Sequence, residues 1–172
     1  MNSVKKIYLD TLVSVGIPTY NRAHGLSNTL KSITNQTYQN LEIIVSDNHS
    51  QNDNTKDVIK MFQKYDKRVV YFRQKKNIGS ISNYRFVLNN SKGKYFFWAA
   101  DDDQWERSFI EKNINKLISS KNGIVSMSGF DRALSNGNIY DTFVYGKKDN
   151  PENKSFLSLL CCVYEDTFKY LK

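Results

Sequence analysis

The sequence predicts an α/β fold in which a mostly parallel central sheet carries helices on both faces. Apolar, strand-like runs alternate with stretches of helical period from residue 12 to residue 119, an order typical of parallel strands joined by crossover helices. The second, third and fourth runs are apolar at successive positions, as in strands that are covered on both faces. With 172 residues the chain is long enough to bury a substantial core, so we expect a single domain over residues 1–172.

The alternating part of the chain contains four predicted strand–helix pairs. The first strand is expected to stop at Pro18, because proline lacks the amide hydrogen that a strand ladder uses. Each helix follows from apolar residues spaced for one face, such as Leu26, Leu30 and Ile33 in the first. The predicted strands are Leu12–Ile17, Leu41–Ser46, Val69–Phe72 and Phe96–Trp98, and the predicted helices are His24–Asn35, Asn54–Tyr65, Ser80–Asn90 and Glu106–Ser119.

The pattern changes after residue 119, where a C-terminal β-hairpin and a final helix are predicted. The expected elements are a strand at Ile124–Ser128, a turn at Ser135–Asn138, a returning strand at Ile139–Tyr145 and a helix at Ser155–Leu171. The turn follows from Asn136-Gly137, a pair that accepts positive φ angles. The adjacent Cys161 and Cys162 match no zinc spacing, so we expect them on a buried helix face.

Composition excludes several classes of protein. No apolar run approaches the ~20 residues that a membrane-spanning helix needs, and the N-terminus lacks the apolar stretch of a signal peptide, so the chain is expected in the cytosol. The net charge of +8 is spread over scattered lysines and forms no dense basic run, so we expect no nucleic-acid partner. The charge fits peripheral contact with an anionic inner-membrane face.

Three adjacent acids, Asp101, Asp102 and Asp103, follow directly on the apolar run Lys94–Ala100. Their mutual repulsion and partial burial disfavour ionisation unless a positive charge lies beside them. A divalent metal ion is a natural partner, because hard cations take carboxylate oxygens. The alternative is an acidic loop that caps the next helix, which one aspartate would satisfy.

Polar segments follow the other predicted strands as well. The turn Pro18–Arg22 offers the ring of Tyr20 and the guanidinium of Arg22 to a nucleotide, although it also reads as a strand-to-helix turn capped by an asparagine. Asp47 can accept hydrogen bonds from a base or a ribose, or belong to an ordinary polar loop. The loop around Asn77 and Gly79 permits close approach of its backbone to an anion. All these segments are expected at the same edge of the sheet. A protein that served only as a scaffold would not need polar segments gathered there, so their shared position favours a binding site.

The chain resembles the nucleotide-sugar-binding part of a family 2 glycosyltransferase with the GT-A fold. The resemblance runs from about Leu12 to Leu117 and is looser as far as Tyr145. The matching stretches are Val15–Arg22 (VGIPTYNR), Leu41–Ser50 (LEIIVSDNHS), Asn77–Tyr84 (NIGSISNY) and Gly93–Trp105 (GKYFFWAADDDQW). Four motifs in the right order and spacing are far more specific than any one alone.

The resemblance implies roles for individual residues. The residues implied in binding the nucleotide-sugar are Pro18, Thr19, Tyr20, Asn21, Arg22, Asp47, Asn77, Gly79, Asn83 and Asp101. Counting back from Trp105, Asp102 stands at the place of the metal-binding carboxylate and Asp103 beside it, with Mn²⁺ or Mg²⁺ as the implied cofactor. The chain departs from the family at Ala100, where the leading aspartate of the Asp-x-Asp element usually stands, and at Tyr84, where many relatives carry an arginine.

The activity implied is inverting transfer of a sugar from a nucleoside-diphosphate sugar, with UDP-sugar as the expected donor. The acceptor would be a hydroxyl of a saccharide or lipid-linked acceptor in cell-surface polysaccharide or glycolipid synthesis. A downstream carboxylate would act as general base. Asp166 is the candidate, and the alternative places the pair Glu165-Asp166 on the solvated face of the last helix. Complete relatives continue through an acceptor-binding region, so we expect this chain to lack part of it.

Three other functions stay open on the sequence. A catalytically silent nucleotide-sugar-binding fragment or regulatory module would keep donor binding and lose transfer. A nucleotidyltransferase would need a phosphate loop rich in glycine and arginine, whereas Leu12–Arg22 contains only Gly16 as a glycine. A response regulator would carry its acids after the first and third strands, whereas here Asp101–Asp103 follow the fourth.

Overall fold

The structure is a computed structural model that describes residues 11–51, 54–120, 125–134, 136–144 and 162–165. In chain order its elements are β1 (Val13–Thr19), α1 (Ala23–Thr34), β2 (Leu41–Asp47), α2 (Thr55–Tyr65), β3 (Val69–Arg73), α3 (Ser80–Asn89), β4 (Tyr95–Trp98), α4 (Phe109–Ser119), β5 (Val125–Met127), β6 (Phe130–Ala133), β7 (Ile139–Phe143) and β8 (Cys162–Glu165). The predicted strands and helices as far as residue 119 are confirmed, with small shifts at their ends. None of the described helices combines the length and the apolar character needed to cross a bilayer.

The main sheet has the strand order β3-β2-β1-β4-β8-β5. Strands β3, β2, β1 and β4 run parallel, and β8 pairs antiparallel with both β4 and β5. In the central pair, Val13 lies opposite Leu41 and Thr19 opposite Asp47. The parallel pairing brings the carboxyl ends of four strands to one edge, as the α/β prediction requires.

Helices cover both faces of the sheet because the strands are apolar on both. The larger cluster of buried side chains packs the sheet against α1, α2 and α4, and includes Val15, Ile43 and Phe97. The smaller cluster joins Ile44, Val87 and Phe96 under α3 on the opposite face. Adjacent residues such as Ile43 and Ile44 therefore belong to different layers, which explains the unbroken apolar runs in the sequence.

Strand β1 continues through Pro18 to Thr19, so the prediction that it stops at the proline is wrong. The carbonyl of Gly16 accepts the amide hydrogen of Ala99 on the β4 side, and the carbonyl of Thr19 accepts that of Asn48 on the β2 side. The backbone of Pro18 faces β4, as that of Gly16 does, but the β1–β4 pairing ends at Gly16 and Trp98 and does not reach Pro18. Its missing amide hydrogen therefore costs no ladder bond.

The C-terminal predictions hold in part. The turn before β7 is present, but β7 pairs with β6 (Phe130–Ala133), a strand that the sequence reading missed, whereas β5 belongs to the main sheet. The predicted final helix is wrong over Cys162–Glu165, which is strand β8, and so is the expectation that Cys162 lies on a helix. A position between two strands offers backbone partners on both sides, and this tertiary pairing overrides a helical pattern of apolar residues. The rest of Ser155–Leu171 lies outside the described residues.

Candidate nucleotide-sugar site

The loops after the parallel strands meet at the carboxyl edge of the sheet. The hydroxyl of Thr19, at the end of β1, donates to Oδ2 of Asp101 beyond β4 at 2.7 Å. The amide nitrogen of the Asn48 side chain, after β2, donates to Oδ1 of Asn77 beyond β3 at 2.9 Å. Segments far apart in the chain are thus joined by direct side-chain hydrogen bonds at one edge, where open α/β sheets bind their ligands.

The three acids Asp101–Asp103, called the acid turn below, face the start of α1. Nε of Arg22 lies 3.7 Å from Oδ1 of Asp101, and Nη1 of Arg22 is hydrogen-bonded to Oδ2 of Asp102. The side chain of Asp101 is only 14% exposed, whereas those of Arg22 and Asp102 are 51% and 52% exposed. The inner acid is therefore held by the protein, and the second acid and its arginine partner remain open to solvent.

Burial and like charges act together on the acid turn. The pKa of the Asp101 carboxyl is raised, chiefly because burial disfavours its charged form, although the Thr19 hydroxyl and the Arg22 charge oppose this. The pKa of Asp103 is also raised, first because burial of its carboxyl group disfavours the charged form and then because of the charges of Asp102 and Asp101. The residue as a whole is nevertheless exposed to solvent. A cation beside the turn would relieve this repulsion.

The donor set fits a hard divalent cation only in part. In the ranges that the structure describes, no three side chains of His, Cys, Asp or Glu are grouped to hold a metal ion. Magnesium sites commonly use one or two carboxylates together with substrate phosphates, so a full protein cage is not required. The exposed carboxylate of Asp102, with that of Asp103 next to it in the chain, suits a site of this open kind.

The turn from β1 into α1 is tied to the loop after β2. The amide of Asn21 donates to the hydroxyl of Ser50 at 2.8 Å, and its side-chain oxygen accepts the amide hydrogen of Gln51 at 2.9 Å. Asn21 adopts a φ of 48°, which asparagine tolerates better than most residues. Beside it Tyr20 is 44% exposed, so part of a large aromatic residue is open to solvent at this edge.

Asp47 is enclosed by protein rather than presented to a ligand. Its carboxylate is fully buried; Oδ2 accepts from Nη1 of Arg73 at 2.7 Å and from the Tyr71 hydroxyl at 3.1 Å. Oδ1 accepts the amide hydrogen of Ser50 at 2.7 Å. With three donors already in place, the group has little capacity left for a base. Arg73, whose side chain is 34% exposed, is the group open to solvent here, and the sequence reading missed it.

The loop before α3 is shaped by Asn77 and Gly79. Oδ1 of Asn77 accepts the amide hydrogen of Gly79 at 2.9 Å, and Asn48 accepts that of Ile78 at 2.8 Å. Gly79 has a φ of 83°, a conformation that favours glycine, and nothing lies within 4 Å of the place where its Cβ would be. The loop therefore has open space beside its backbone at Gly79.

Asn83, for which a nucleotide contact is predicted, lies buried between α3 and β2 in the structure. The residue is 2% exposed. Its amide nitrogen donates to the carbonyl of Ser46 at 2.9 Å, and its oxygen accepts from the Ser46 hydroxyl at 2.6 Å. Both halves of the side chain are thus used to dock α3 on β2. The next residue, Tyr84, lies close enough to the acid turn to be affected by its charges: the pKa of Tyr84 is raised first by burial and then by the carboxylates of Asp101, Asp102 and Asp103. Asp166, the predicted general base, lies outside the described residues.

Comparison with known proteins agrees with this architecture. The family model described as "Glycosyl transferase family 2" matches residues 14–167. The chain is 33% identical to a GalNAc(5)-diNAcBac-PP-undecaprenol beta-1,3-glucosyltransferase of Campylobacter jejuni, over 84% of this chain and 54% of that protein. It is 30% identical to the UDP-Glc:alpha-D-GlcNAc-diphosphoundecaprenol beta-1,3-glucosyltransferase WfgD of Escherichia coli, over 81% of this chain and 53% of that protein.

Solved structures share the fold at low sequence identity. The S. aureus protein TarS, residues 1–349 in complex with UDP, matches with a TM-score of 0.64 at 17% identity, over 75% of this chain and 38% of that one. The mannosyltransferase PcManGT of Pyrobaculum calidifontis, in complex with GDP-Man and Mn²⁺, matches with a TM-score of 0.60 at 21% identity, over 70% of this chain and 35% of that one.

The chain spans about half the length of the C. jejuni and E. coli glucosyltransferases. It spans a fifth of an uncharacterized glycosyltransferase of Rickettsia bellii, to which it is 34% identical. The family model nevertheless covers most of the chain. The sheet order and the solved neighbours agree with a GT-A fold. On these grounds the chain is a member of glycosyl transferase family 2.

Proposed function

We propose that this chain binds a nucleoside-diphosphate sugar, with UDP-sugar as the donor, together with Mn²⁺ or Mg²⁺ at the carboxyl edge of its sheet. The observation that carries the proposal is the junction of the β1 turn with the acid turn through the Thr19–Asp101 hydrogen bond and the Arg22 ion pairs. It sets an exposed guanidinium against an exposed carboxylate, and the exposed Tyr20 lies between Thr19 and Arg22 in the same turn. The ring, the guanidinium and the carboxylate suit a base, a diphosphate and a cation respectively.

Each part of the donor has a candidate partner. The exposed face of Tyr20 suits stacking with the base. Arg22, whose fork matches phosphate oxygens, would turn from Asp102 to the diphosphate. Asp102 and Asp103 would hold the cation, and Asp101 would lie near the ribose or sugar. The open backbone beside Gly79 allows the diphosphate or sugar to approach closely.

The proposed reaction is transfer of the sugar with inversion. An acceptor hydroxyl forms a bond to the anomeric carbon while the bond from that carbon to the diphosphate oxygen breaks. The hydroxyl proton passes to a carboxylate base, for which Asp166 is the sequence candidate. A bound divalent cation supplies neutralisation of the charge that develops on the leaving diphosphate. Arg22 adds to this neutralisation.

The proposed acceptor is a saccharide linked to a lipid diphosphate, as in cell-surface polysaccharide synthesis. The names of the C. jejuni and E. coli relatives describe acceptors of this kind, and those relatives match more than four fifths of this chain. A lipid-linked acceptor would bring the protein to a membrane surface, and the net charge of +8 favours contact with anionic lipid there.

The test is titration calorimetry of the purified chain with UDP in the presence of Mn²⁺. We expect binding that depends on Mn²⁺ in the wild-type protein and falls at least tenfold in Asp102→Asn. Asp57→Asn is the matched control, because Asp57 is an exposed aspartate in the first turn of α2. Equal affinities in all three proteins would refute the assignment of the site, and tighter binding of GDP than of UDP would refute the proposed donor.

Transfer is tested separately from donor binding, because the chain spans about half the length of its enzyme relatives. UDP release from UDP-glucose and UDP-GlcNAc is measured with a synthetic diphosphoprenyl-linked sugar as the acceptor. Release that depends on the acceptor supports transfer by this chain. Mn²⁺-dependent UDP binding without any release would restrict the function to donor binding.

A further inference from the structure

A line formed by one glycine and three polar residues on one face of α1 runs along the segment that carries the acid turn. We name this line the α1 stripe; its members are Gly25, Thr29, Ser32 and Gln36, the last just beyond the helix end. The rest of the buried face is apolar, with Leu26, Leu30 and Ile33 in the core. Polar groups are costly inside a protein unless they are hydrogen-bonded, so their partners indicate what the stripe does.

Thr29 binds the two carbonyls that flank the first two acids. Its hydroxyl, which is fully buried, lies 2.8 Å from the carbonyl oxygen of Asp103 and 3.2 Å from that of Ala100. A threonine inside a helix commonly donates to its own preceding turn. Thr34 does so, with its hydroxyl 2.8 Å from the carbonyl of Leu30. Thr29 instead donates across to another segment, and so fixes both ends of the acid turn.

The contacts continue in register along the chain beyond the acid turn. Ser32 accepts the amide hydrogen of Trp105 at 3.2 Å. Gln36, which is 1% exposed, donates to the carbonyl of Glu106 at 2.8 Å and accepts the amide hydrogen of Ile110 at 3.0 Å. That amide belongs to the first turn of α4, where helix donors have no partner within the helix. The stripe therefore holds the segment from residue 100 to residue 110 by its backbone.

Gly25 gives the acid turn room to approach the helix. A Cβ at this position would lie 2.7 Å from the carbonyl oxygen of Asp101 and 3.3 Å from Cα of Asp102. These two atoms belong to the backbone of the turn, so a side chain at Gly25 forces the turn itself to move; the third neighbour, Cγ of Arg22 at 3.3 Å, is a side-chain atom that can shift. Within the turn one backbone hydrogen bond is present, from the amide of Asp103 to the carbonyl of Ala100 at 3.4 Å. The shape of the turn thus depends on α1.

We propose that the α1 stripe is a set of positioning residues, which fixes the backbone of the acid turn so that its carboxylates are aligned for the cation and diphosphate. The proposal rests on the proposed function for its ligand. None of the four residues needs to touch the donor. Their effect passes through the carbonyls of residues 100, 101, 103 and 106 and through the amides of residues 105 and 110.

The first test compares three threonine variants. Thr29→Val keeps the shape of the side chain and removes the donor, Thr29→Ser keeps the donor, and Thr34→Val removes a hydroxyl that bonds only within α1. Mn²⁺-dependent UDP affinity is measured by calorimetry, and the unfolding midpoint by urea titration, on the intact chain. We expect the affinity of Thr29→Val for UDP to be about tenfold weaker than that of wild type. The affinities of Thr29→Ser and Thr34→Val should stay within about twofold of wild type. A folded Thr29→Val protein with the affinity of Thr34→Val would overturn the proposal.

The second test moves the turn without weakening the helix. Gly25→Ala introduces the clashing Cβ while alanine is the better helix former. Asn28→Ala, at an exposed position of the same helix, is the control for helix propensity. We expect Gly25→Ala to bind Mn²⁺ and UDP more weakly than wild type while its urea titration still shows one cooperative unfolding transition. Unchanged affinity in Gly25→Ala contradicts the proposal.

A readout without ligand separates this proposal from the proposed function. Amide hydrogen exchange of residues 101–105 is measured in the free protein. We expect these amides to exchange faster in Thr29→Val than in Thr34→Val, since the turn loses its anchor. If the exchange rates are equal, the stripe does not position the turn, whatever the protein binds. If exchange responds as expected but wild-type protein binds no UDP with Mn²⁺, the positioning stands and the assigned ligand is wrong.

Discussion

Replacing Arg73 by methionine should destabilise the protein more than the loss of an ordinary surface arginine. Nη1 of Arg73 lies 2.7 Å from the fully buried Oδ2 of Asp47, and its Nη2 donates to the carbonyl of Ser50 at 2.6 Å. The guanidinium is the cation that faces the Asp47 carboxylate in the described structure. Methionine keeps most of the side-chain length but leaves that carboxylate with two neutral donors, the Tyr71 hydroxyl and the Ser50 amide.

The size of the effect follows from the exposure of the pair. Removing one partner of a fully buried ion pair costs about 3–5 kcal/mol. The side chain of Arg73 is 34% exposed, so water can partly solvate the space it leaves, and we reduce the expected cost to about 2–3 kcal/mol. Asp47→Asn should cost about 2 kcal/mol, because an amide cannot accept from all the present donors. The double variant should cost about 1–2 kcal/mol less than the sum, because each change removes the other's partner.

Urea unfolding of the wild type and the three variants, followed by tryptophan fluorescence, measures these free energies. Arg85→Met is the matched control, since Arg85 is exposed on α3, and it should change stability by less than about 0.5 kcal/mol. Additive effects of the two single changes, to within about 0.3 kcal/mol, would refute the coupling. So would an Arg73→Met variant as stable as Arg85→Met.

Two further predictions concern stability away from the cleft. The carboxylate of Asp66 accepts hydrogen bonds from the guanidinium and the backbone amide of Arg68, and these bonds lower the pKa of Asp66 in the folded protein. The charged carboxylate therefore stabilises the fold at a pH above the unfolded-state pKa of about 3.9. This contribution is lost as the pH falls through the folded-state pKa. Asp66→Asn should therefore be less stable than wild type by about 1 kcal/mol at neutral pH, with the difference closing below about pH 4 in urea titrations; a constant difference down to pH 2 would contradict this. Gly16→Ala should lower the free energy of unfolding by about 1–3 kcal/mol. Its Cβ would lie 2.5 Å from a ring carbon of Phe96 and 2.7 Å from a methyl group of Val87, both in the smaller cluster of buried side chains. A stabilised Gly16→Ala protein in the same titration would show that this packing is looser than described.

The part of the fold that the sequence predicts well is the part whose pattern is local. Continuous apolar runs and helical spacing identify the first four strands and helices, because burial on both faces leaves a direct mark on successive residues. Strand β6 carries charges at Asp131 and Arg132 and offers no such run. Strand β8 depends on partners distant in the chain, so Cys162–Glu165 read as a helix. Pairing of this kind is decided by tertiary contacts rather than by local pattern.

The candidate site shows the same division. The acid turn and the Tyr20 and Arg22 positions follow from motifs, and the structure brings them together at one edge. The enclosure of Asp47 by Arg73 does not follow from a motif, since it requires the register that sets these two residues opposite each other in β2 and β3. Asn83 and Thr29 look alike as polar helix residues, and only their partners reveal that one docks α3 and the other holds the acid turn.

A crystal structure of the protein with Mn²⁺ and UDP would show whether a cation held by the acid turn joins the sheet edge to a diphosphate, as we propose. We expect an anomalous manganese peak bound by the Asp102 carboxylate and by diphosphate oxygens, with the uracil ring against Tyr20 and with Arg22 turned from Asp102 to a phosphate. Manganese at another site, or UDP bound with Arg22 still paired to Asp102 and no cation at the acid turn, would contradict it.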